Sequence, residues 1–295
     1  MEIKLSIIIV NYNTEKLLKE CLSSIKISIP HEIIVVDNGS IDNSIHMLKE
    51  NFPEVFVIEN KKDEGFAKAN NIGIDKAQGD YILFLNPDTL LNDENIFEVL
   101  FSEFEKDKKV AAVTCKVVLP TGQLDDACHR GFPTPKNAFF HFIGLSKVFP
   151  KVRFFSGYNL TYLNLDTTHE IDACCGAFML AKREMGEKVK WWDEDYHWYG
   201  EDLDLCFRLK ELGYKILYVP KVSIFHYKGA SSGIKKLSKN ISTADKQTRI
   251  KSVNARFDVM KIFYKKHYDH KYSPLLKTLV FAAVEVKRKI ALLTS

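Results

Sequence analysis

Four short stretches of this 295-residue chain carry side chains able to do chemistry. Asn86-Pro87-Asp88 follows the apolar run 81–85, so a carboxylate stands where a strand stops. All three are turn formers. A hard carboxylate oxygen in that place also suits Mg2+ or Mn2+ held against a diphosphate. Glu201-Asp202-Leu203-Asp204 opens a helix whose apolar set is Leu205, Cys206, Leu209 and Leu212. Acidic residues in a first turn complement the helix dipole, and the same carboxylates can serve as a general base at the mouth of a cleft. His226 closes the run 222–225, where a histidine is packed, exposed or a ligand. Asp37-Asn38-Gly39-Ser40 reads as a turn into an N-cap, or as an acceptor for a base or ribose edge. Taken singly, each stretch has a purely structural explanation.

What must position them is the alternation of the first 116 residues. Residues 5–10 form an apolar run ending in Asn11-Tyr12-Asn13. Thr14 then reads as an N-cap, with Leu17, Leu18, Cys21, Leu22 and Ile25 at helical spacing. Further strands read at 33–36, 55–58, 81–85 and 110–115. Helices read up to about residue 51, over 65–77 with Gly79 placed to end it, and near 95–105. Strand–helix alternation with continuous apolar strands implies a parallel sheet covered on both faces. Right-handed crossovers place the strands' C-terminal ends on one edge, which is the ligand crevice of open α/β sheets. Asn11, Asp37, Asn60, Asn86 and Asp88 therefore converge. Residues 117–170 are irregular and rich in aromatics, and a loop-rich segment of that length is usually functional. Order returns at 171–180, with strands at 216–219 and 222–225, a Ser/Lys/Gly-rich loop at 231–245, and helices near 246–266 and 274–293.

Composition narrows the class. With 46% hydrophobic and 27% charged residues the chain is globular rather than disordered or fibrous. Its first residues carry no signal peptide, and no stretch is long and apolar enough for a membrane span. Absence of G-x-G-x-x-G after the first strand weighs against a dinucleotide domain, and absence of G-x-x-x-x-G-K-[ST] against a P-loop NTPase. The six cysteines show neither C-x-x-C nor zinc spacing, so a reduced, cytoplasmic chain is expected. Charge is uneven: residues 261–295 hold eight Lys/Arg against Asp269 and Glu285, while the whole chain is only +4. A basic helix there, with Leu275, Leu276, Leu279, Ala282, Ala283 and Val286 on one face, would pack on the domain or attach to an anionic membrane. Nothing points to nucleic acid.

In order, SIIIVNYN, EIIVVDNGSIDNS, NKKDEGFAKANNIGIDKAQGDYILFLNPDTLL, CCGAFMLAKR and WWDEDYHWYGEDLDLCFRLKELGYKILYVP…FHYKGAS resemble a family 2 inverting glycosyltransferase of the GT-A fold. Within it they resemble the rhamnosyltransferase-like branch, over about residues 4–233. The resemblance implies a Rossmann-like, mostly parallel central sheet with helices on both faces and a C-terminal helical segment. Residues 1–116 would be the nucleotide-sugar half, 117–230 the acceptor and catalytic half, and 231–295 a lid loop with basic helices. It implies that Asn11, Tyr12, Asn13, Asp37 and Asn60 hold base and ribose, with Asn86 reaching the ribose. Gly65, Phe66, Ala69 and Asn70 would pack beside the nucleotide, and Gly176 and Ala177 would line the sugar pocket. Asp88 would bind a divalent metal, Mg2+ or Mn2+, with His226 completing metal or diphosphate binding. Asp202 would be the base, with Glu201 its neighbour. Many members carry an aspartate where Asn86 stands, which leaves a lone carboxylate to hold the ion. The expected reaction moves sugar from a nucleotide diphosphate donor, with dTDP-rhamnose first among candidates, to a glycan or lipid-linked acceptor in cell-surface polysaccharide synthesis. A catalytically silent nucleotide-sugar-binding protein and a nucleotidyltransferase are the alternatives. The latter expects a Gly-rich basic loop after the first strand, and NYNTEK is not one.

Overall fold

The β-branched run that opens the chain becomes β1 (Leu5–Asn11), fully buried through Ile9 and followed by α1 (Glu15–Ser24). In this computed structural model, which describes residues 3–228 and 246–293, the alternation continues as read. It runs β2 (His31–Asp37), α2 (Ser44–Asn51), β3 (Phe56–Glu59), α3 (Phe66–Ile74), β4 (Tyr81–Leu85), β5 (Thr89–Leu91), α4 (Ile96–Lys106) and β6 (Val110–Val118). The second half adds α5 (Pro135–Phe142), α6 (Leu145–Val148), β7 (His169–Ile171), β8 (Phe178–Lys182), α7 (Arg183–Lys188), α8 (Glu201–Glu211), β9 (Lys215–His226), α9 (Lys246–His267) and α10 (Pro274–Leu293). The expected lid loop at 231–245 lies outside the described residues.

Strand order is β3-β2-β1-β4-β8-β6-β9-β5, with β7 on β9. The sheet is mixed rather than all parallel, because β8 runs antiparallel to both β4 and β6. Two reversals cancel, so β1, β2, β3, β4, β6 and β9 share one direction and one C-terminal edge. Antiparallel β8 starts at that edge, which brings Gly176-Ala177 to it as well. The convergence expected of a parallel sheet therefore survives.

Other details depart from the sequence reading. Helix α3 ends at Ile74, and Gly79 is no cap. A Cβ on Gly79 would lie 2.6 Å from the Ser6 backbone nitrogen, so glycine is needed for close approach to β1. The two expected strands at 216–219 and 222–225 are one strand, β9, which absorbs Pro220 through a register shift opposite Cys115 and Lys116. The short strand β5 was not expected, nor were the helices α5 and α6 in the irregular stretch. All six cysteines are buried and unpaired.

The tail packs against α8 rather than standing apart from the sheet domain. Phe263 of α9 and Tyr268 just beyond it meet Phe207 of α8 at 5.6 and 5.9 Å between ring centres, and Val280 and Phe281 of α10 pack against the same cluster. Among the described residues no helix is long and apolar enough to cross a membrane.

Candidate active site

At the ends of β1 and β2 the parallel register sets Asn11 beside Asp37. The Asn11 amide donates to Asp37 Oδ2 at 2.8 Å and to Ser40 Oγ at 3.1 Å, and its oxygen accepts from the Thr14 hydroxyl at 2.6 Å. Thr14 thus holds the N-cap position of α1 but spends its hydroxyl on Asn11. The other Asp37 oxygen accepts the Ser40 N–H at 2.8 Å. Asn13 sits at φ 52°, held there by Ile41 N–H on its side-chain oxygen at 2.8 Å. One layer further out, Asn60 Nδ2 donates to Asn38 Oδ1 at 3.1 Å, and Asn38 donates to Asp63 at 2.6 Å. Tyr12 stays exposed at the rim. Asn11, Tyr12, Asn13, Asp37 and Asn60 form one contiguous polar set. Asn38, Ser40 and Asp63 complete it, and only their place in turns hinted at this.

Gly65 caps α3 at φ +83°, where a Cβ would lie 2.4 Å from His197 Nδ1. Phe66 N–H donates to the His197 carbonyl at 3.1 Å, and the Phe66 ring meets Trp192 edge-on at 5.7 Å. A Cβ on Gly176 would approach the Phe66 ring to 3.1 Å, so glycine keeps that wall thin. Ala69 and Asn70 are buried, Ala69 with Ile34 and Val36. Any part they play is through packing of α3. The Asn86 N–H donates to the Ala177 carbonyl at 3.1 Å and joins the end of β4 to the start of β8.

Asp88 meets His226 because β5 pairs antiparallel with β9, Thr89 opposite His226. His226 Nε2 lies 3.2 Å from Asp88 Oδ1, and its Nδ1 lies 3.2 Å from Asp125 Oδ2. Asp125 reaches that place through a hairpin at the end of β6, where Leu119 N–H donates to the Gln123 carbonyl at 2.8 Å. Lys228 Nζ and the Ala127 N–H occupy the other Asp125 oxygen. Burial alone would push the imidazole down, but the Asp88 and Asp125 carboxylates outweigh it and hold His226 at about 9. Burial likewise opposes ionisation of Asp125, and His226 and Lys228 overcome it, keeping this carboxyl below the usual range. Among the described residues no three His, Cys, Asp or Glu side chains converge as a ready metal cage. The donor chemistry nevertheless fits an ion that takes the rest of its shell from a diphosphate and water. Asp88 offers a carboxylate. His226, protonated as it stands between Asp88 and Asp125, would offer Nε2 to an ion that displaces its proton or Nε2–H to a diphosphate oxygen. Asp125 steadies the far imidazole nitrogen, as second-layer carboxylates do behind metal-bound histidines.

The base candidates open α8, whose N-cap Gly200 sits at φ +84°. Left-handed backbone at Lys190, Trp191 and Tyr199 bends the preceding segment. Arg208 of α8 clamps this bend by donating to the carbonyls of Val189 and Trp191, the latter at 2.6 Å. Asn71 of α3 brackets Trp192 from the other side with bonds of 2.9 and 3.2 Å. Asp202 Oδ2 accepts from Arg130 Nη2 at 2.5 Å, and Oδ1 accepts the Leu203 N–H at 2.7 Å. Glu201 is buried, with Oε2 lacking a partner among the described residues. Burial and the neighbouring Asp202 charge push Glu201 up to about 8. A carboxyl held neutral at pH 7 is a poor proton acceptor. Asp204 is buried between Arg208 Nε and His267 Nε2, both at 2.7 Å, which ties α8 to α9. Arg130 ties the Asp202 carboxylate to the segment before Gly176: its Nη2 donates to the Cys174 carbonyl at 3.4 Å and its backbone pairs with Ala173. Burial first, then the charge of Asp125, push the neighbouring Cys175 thiol up to about 12. Neither Arg130 nor Asp125 carries any signal of a role in the sequence.

The family model for Glycosyl transferase family 2 matches residues 6–187. The rhamnosyltransferase WbbL of Escherichia coli (strain K12) is 29% identical over 231 residues, which are 75% of this chain and 82% of that protein. The poly-beta-1,6-N-acetyl-D-glucosamine synthase of Staphylococcus epidermidis is 27% identical over 225 residues, and the chain spans about half of it, 48%. Among solved structures, the mannosyltransferase PcManGT of Pyrobaculum calidifontis, in complex with GDP-Man and Mn2+, superposes with a TM-score of 0.57 at 17% identity. That match covers 100% of this chain and 73% of the other. It is a likeness of fold, the GT-A fold that the sequence led us to expect.

Proposed function

The chain belongs to glycosyl transferase family 2, and from that premise we propose that it moves a sugar from a nucleoside diphosphate donor to a hydroxyl of a cell-surface glycan or lipid-linked saccharide, inverting the anomeric carbon. The observation that carries this reading is a pair of carboxylate sets, Asp88–His226–Asp125 and Asp202–Arg130, the second tied by Arg130 to Ala173 and Cys174 just before β8, which starts at the C-terminal edge of the sheet. A nucleotidyltransferase is set aside by the family. A silent binding protein would have no need of a clamped carboxylate beside a donor site.

The nucleotide lies against the polar ends of β1 and β2, with Asn11, Tyr12, Asn13, Asp37 and Asn60 toward base and ribose and Asn86 toward the ribose. Asp88 and His226 would hold Mg2+ or Mn2+, which when bound would neutralise charge that builds on the leaving diphosphate. Asp202 accepts the proton of the acceptor hydroxyl as that oxygen bonds to the anomeric carbon. The bond from that carbon to the diphosphate oxygen breaks through an oxocarbenium-like transition state, releasing nucleoside diphosphate. Glu201, held neutral, leaves this role to its neighbour. Residues 1–116 serve the donor and 117–230 the acceptor and the chemistry. The similarity to WbbL, a rhamnosyltransferase by name, makes dTDP-rhamnose the first donor to try. The basic tail brings the enzyme to an anionic membrane on the cytoplasmic side, where a lipid-linked acceptor would be met.

The test is nucleoside diphosphate release from a panel of nucleotide sugars, with and without excess EDTA, for the native chain and Asp88→Asn. Release from one donor, lost in both EDTA and the variant, is expected. Undiminished turnover in EDTA would remove the metal role and return Asp88 to a turn residue.

A further inference from the structure

Between Asp126 and Asp166 the chain has no acidic residue at all, yet it carries Arg130, Lys136, Lys147, Lys151 and Arg153. Arg130 is spent on Asp202. None of the other four forms an ion pair with a described residue. On this same segment, which includes α5 and α6, apolar side chains face outward. Phe139, Val148 and Phe154 are 57%, 66% and 56% exposed, and Ile143, Phe149 and Val152 join them. Chains seldom leave so many large apolar groups clustered in water without a partner.

Helix α10 shows the same pattern. Val280 and Val284 face α9, while Leu275, Leu279, Val286, Ile290 and Leu293 are exposed. At about 100° per residue, those five fall within an arc of about 60°. The apolar stripe noted in the sequence is therefore largely the outer face, not the packed one. The two patches adjoin, because Lys287 of α10 donates to the Phe142 carbonyl at 3.2 Å and lies over its ring at 4.9 Å.

We infer that residues 136–154 and the outer face of α10 form one docking surface for an anionic lipid bilayer. This rests on the membrane reading of the tail given above and extends it to a second element inside the catalytic half. Charge selects the occupant. Outward apolar groups interleaved with unpaired cations gain both burial and attraction at an anionic interface. A second copy would set cation against cation. Two separated elements on one surface also fix the tilt of the enzyme, which a single tail helix would leave free to roll.

The test is sedimentation of the full chain with vesicles of phosphatidylcholine plus phosphatidylglycerol, against phosphatidylcholine alone. Nucleoside diphosphate release without vesicles serves as the control for folding. Three paired variants are compared with the native chain: F139S/F149S, K147E/K151E and, on the tail, L279S/V286S. Binding only to the anionic vesicles is expected. Each pair should weaken it by about tenfold or more, with nucleotide release unchanged. If the first two pairs bind as the native chain does and only the tail pair is impaired, the inference fails and the tail reading stands. If the native chain does not bind at all, both fail. If the first two pairs abolish self-association of the native chain without altering its vesicle binding, the surface is an interface between copies and the inference is overturned.

Discussion

Replacing Glu201 by Gln should let the protein keep stability that the native chain loses as pH rises from about 5 to 8, and the size of the effect follows from the site. Glu201 is buried with an unpartnered Oε2, and burial together with Asp202 raises it from the ordinary 4.5 to about 8. A group whose folded pKa lies above its unfolded one contributes stability that is fully present below the unfolded value and is lost as pH rises through the folded one. Here the window runs from about pH 4.5 to pH 8. At about 1.4 kcal/mol per unit, the native chain should lose about 3 to 4 kcal/mol between pH 5 and pH 8 that Glu201→Gln does not lose. That corresponds to several degrees in Tm. Urea unfolding at half-unit pH steps would show the two stabilities nearly equal at pH 5 and diverging upward. Since Asp202 supplies part of the shift, Asp202→Asn should shrink the divergence. Parallel curves from pH 5 to 8 would refute a neutral Glu201 and reopen its candidacy as the base.

Arg130→Met should lower transfer by about 10², because the base loses the partner that aims it, while donor affinity holds. Arg130→Lys should rescue only part, since an ammonium cannot reproduce the guanidinium fork. Asp204→Asn breaks the links to Arg208 and His267 and should cost about 3–5 kcal/mol in urea unfolding, with transfer per folded molecule retained. Asp125→Asn should weaken Mn2+ binding in the presence of nucleoside diphosphate by about 10- to 100-fold, read by electron paramagnetic resonance without turnover. Unchanged Mn2+ binding would leave Asp125 a purely structural residue.

The first four sheet strands were readable because β1 to β4 are short apolar runs, rich in β-branched residues in β1 and β2 and each closed by or followed within a residue by Asn or Asp, and periodicity reports such runs directly. What could not be read are contacts made by short or non-local pairing. Strand β5 is only Thr89-Leu90-Leu91, too short to show a period, yet it swings Asp88 onto His226. Asp125 meets His226 across 101 residues, and Arg130 meets Asp202 across 72, from a loop with no period. Pro220 looked like a strand break, but a register shift absorbs it within β9. Gly79 looked like a helix stop, while its real constraint is the Ser6 backbone of β1. For α10 both faces are apolar, so spacing alone left open whether the stripe of Leu275, Leu279 and Val286 packs inward; Val280, Phe281 and Val284 do so instead.

The central claim is that Asp202, held by Arg130, takes the acceptor proton. It is tested most directly by the single-turnover transfer rate at saturating donor for Asp202→Asn and Glu201→Gln, each alongside donor affinity. Asp202→Asn keeps shape but removes proton acceptance, so transfer should fall by about 10²–10⁴ with donor affinity intact, and Glu201→Gln should cost far less. Near-normal transfer by Asp202→Asn, with loss in Glu201→Gln, would contradict the account.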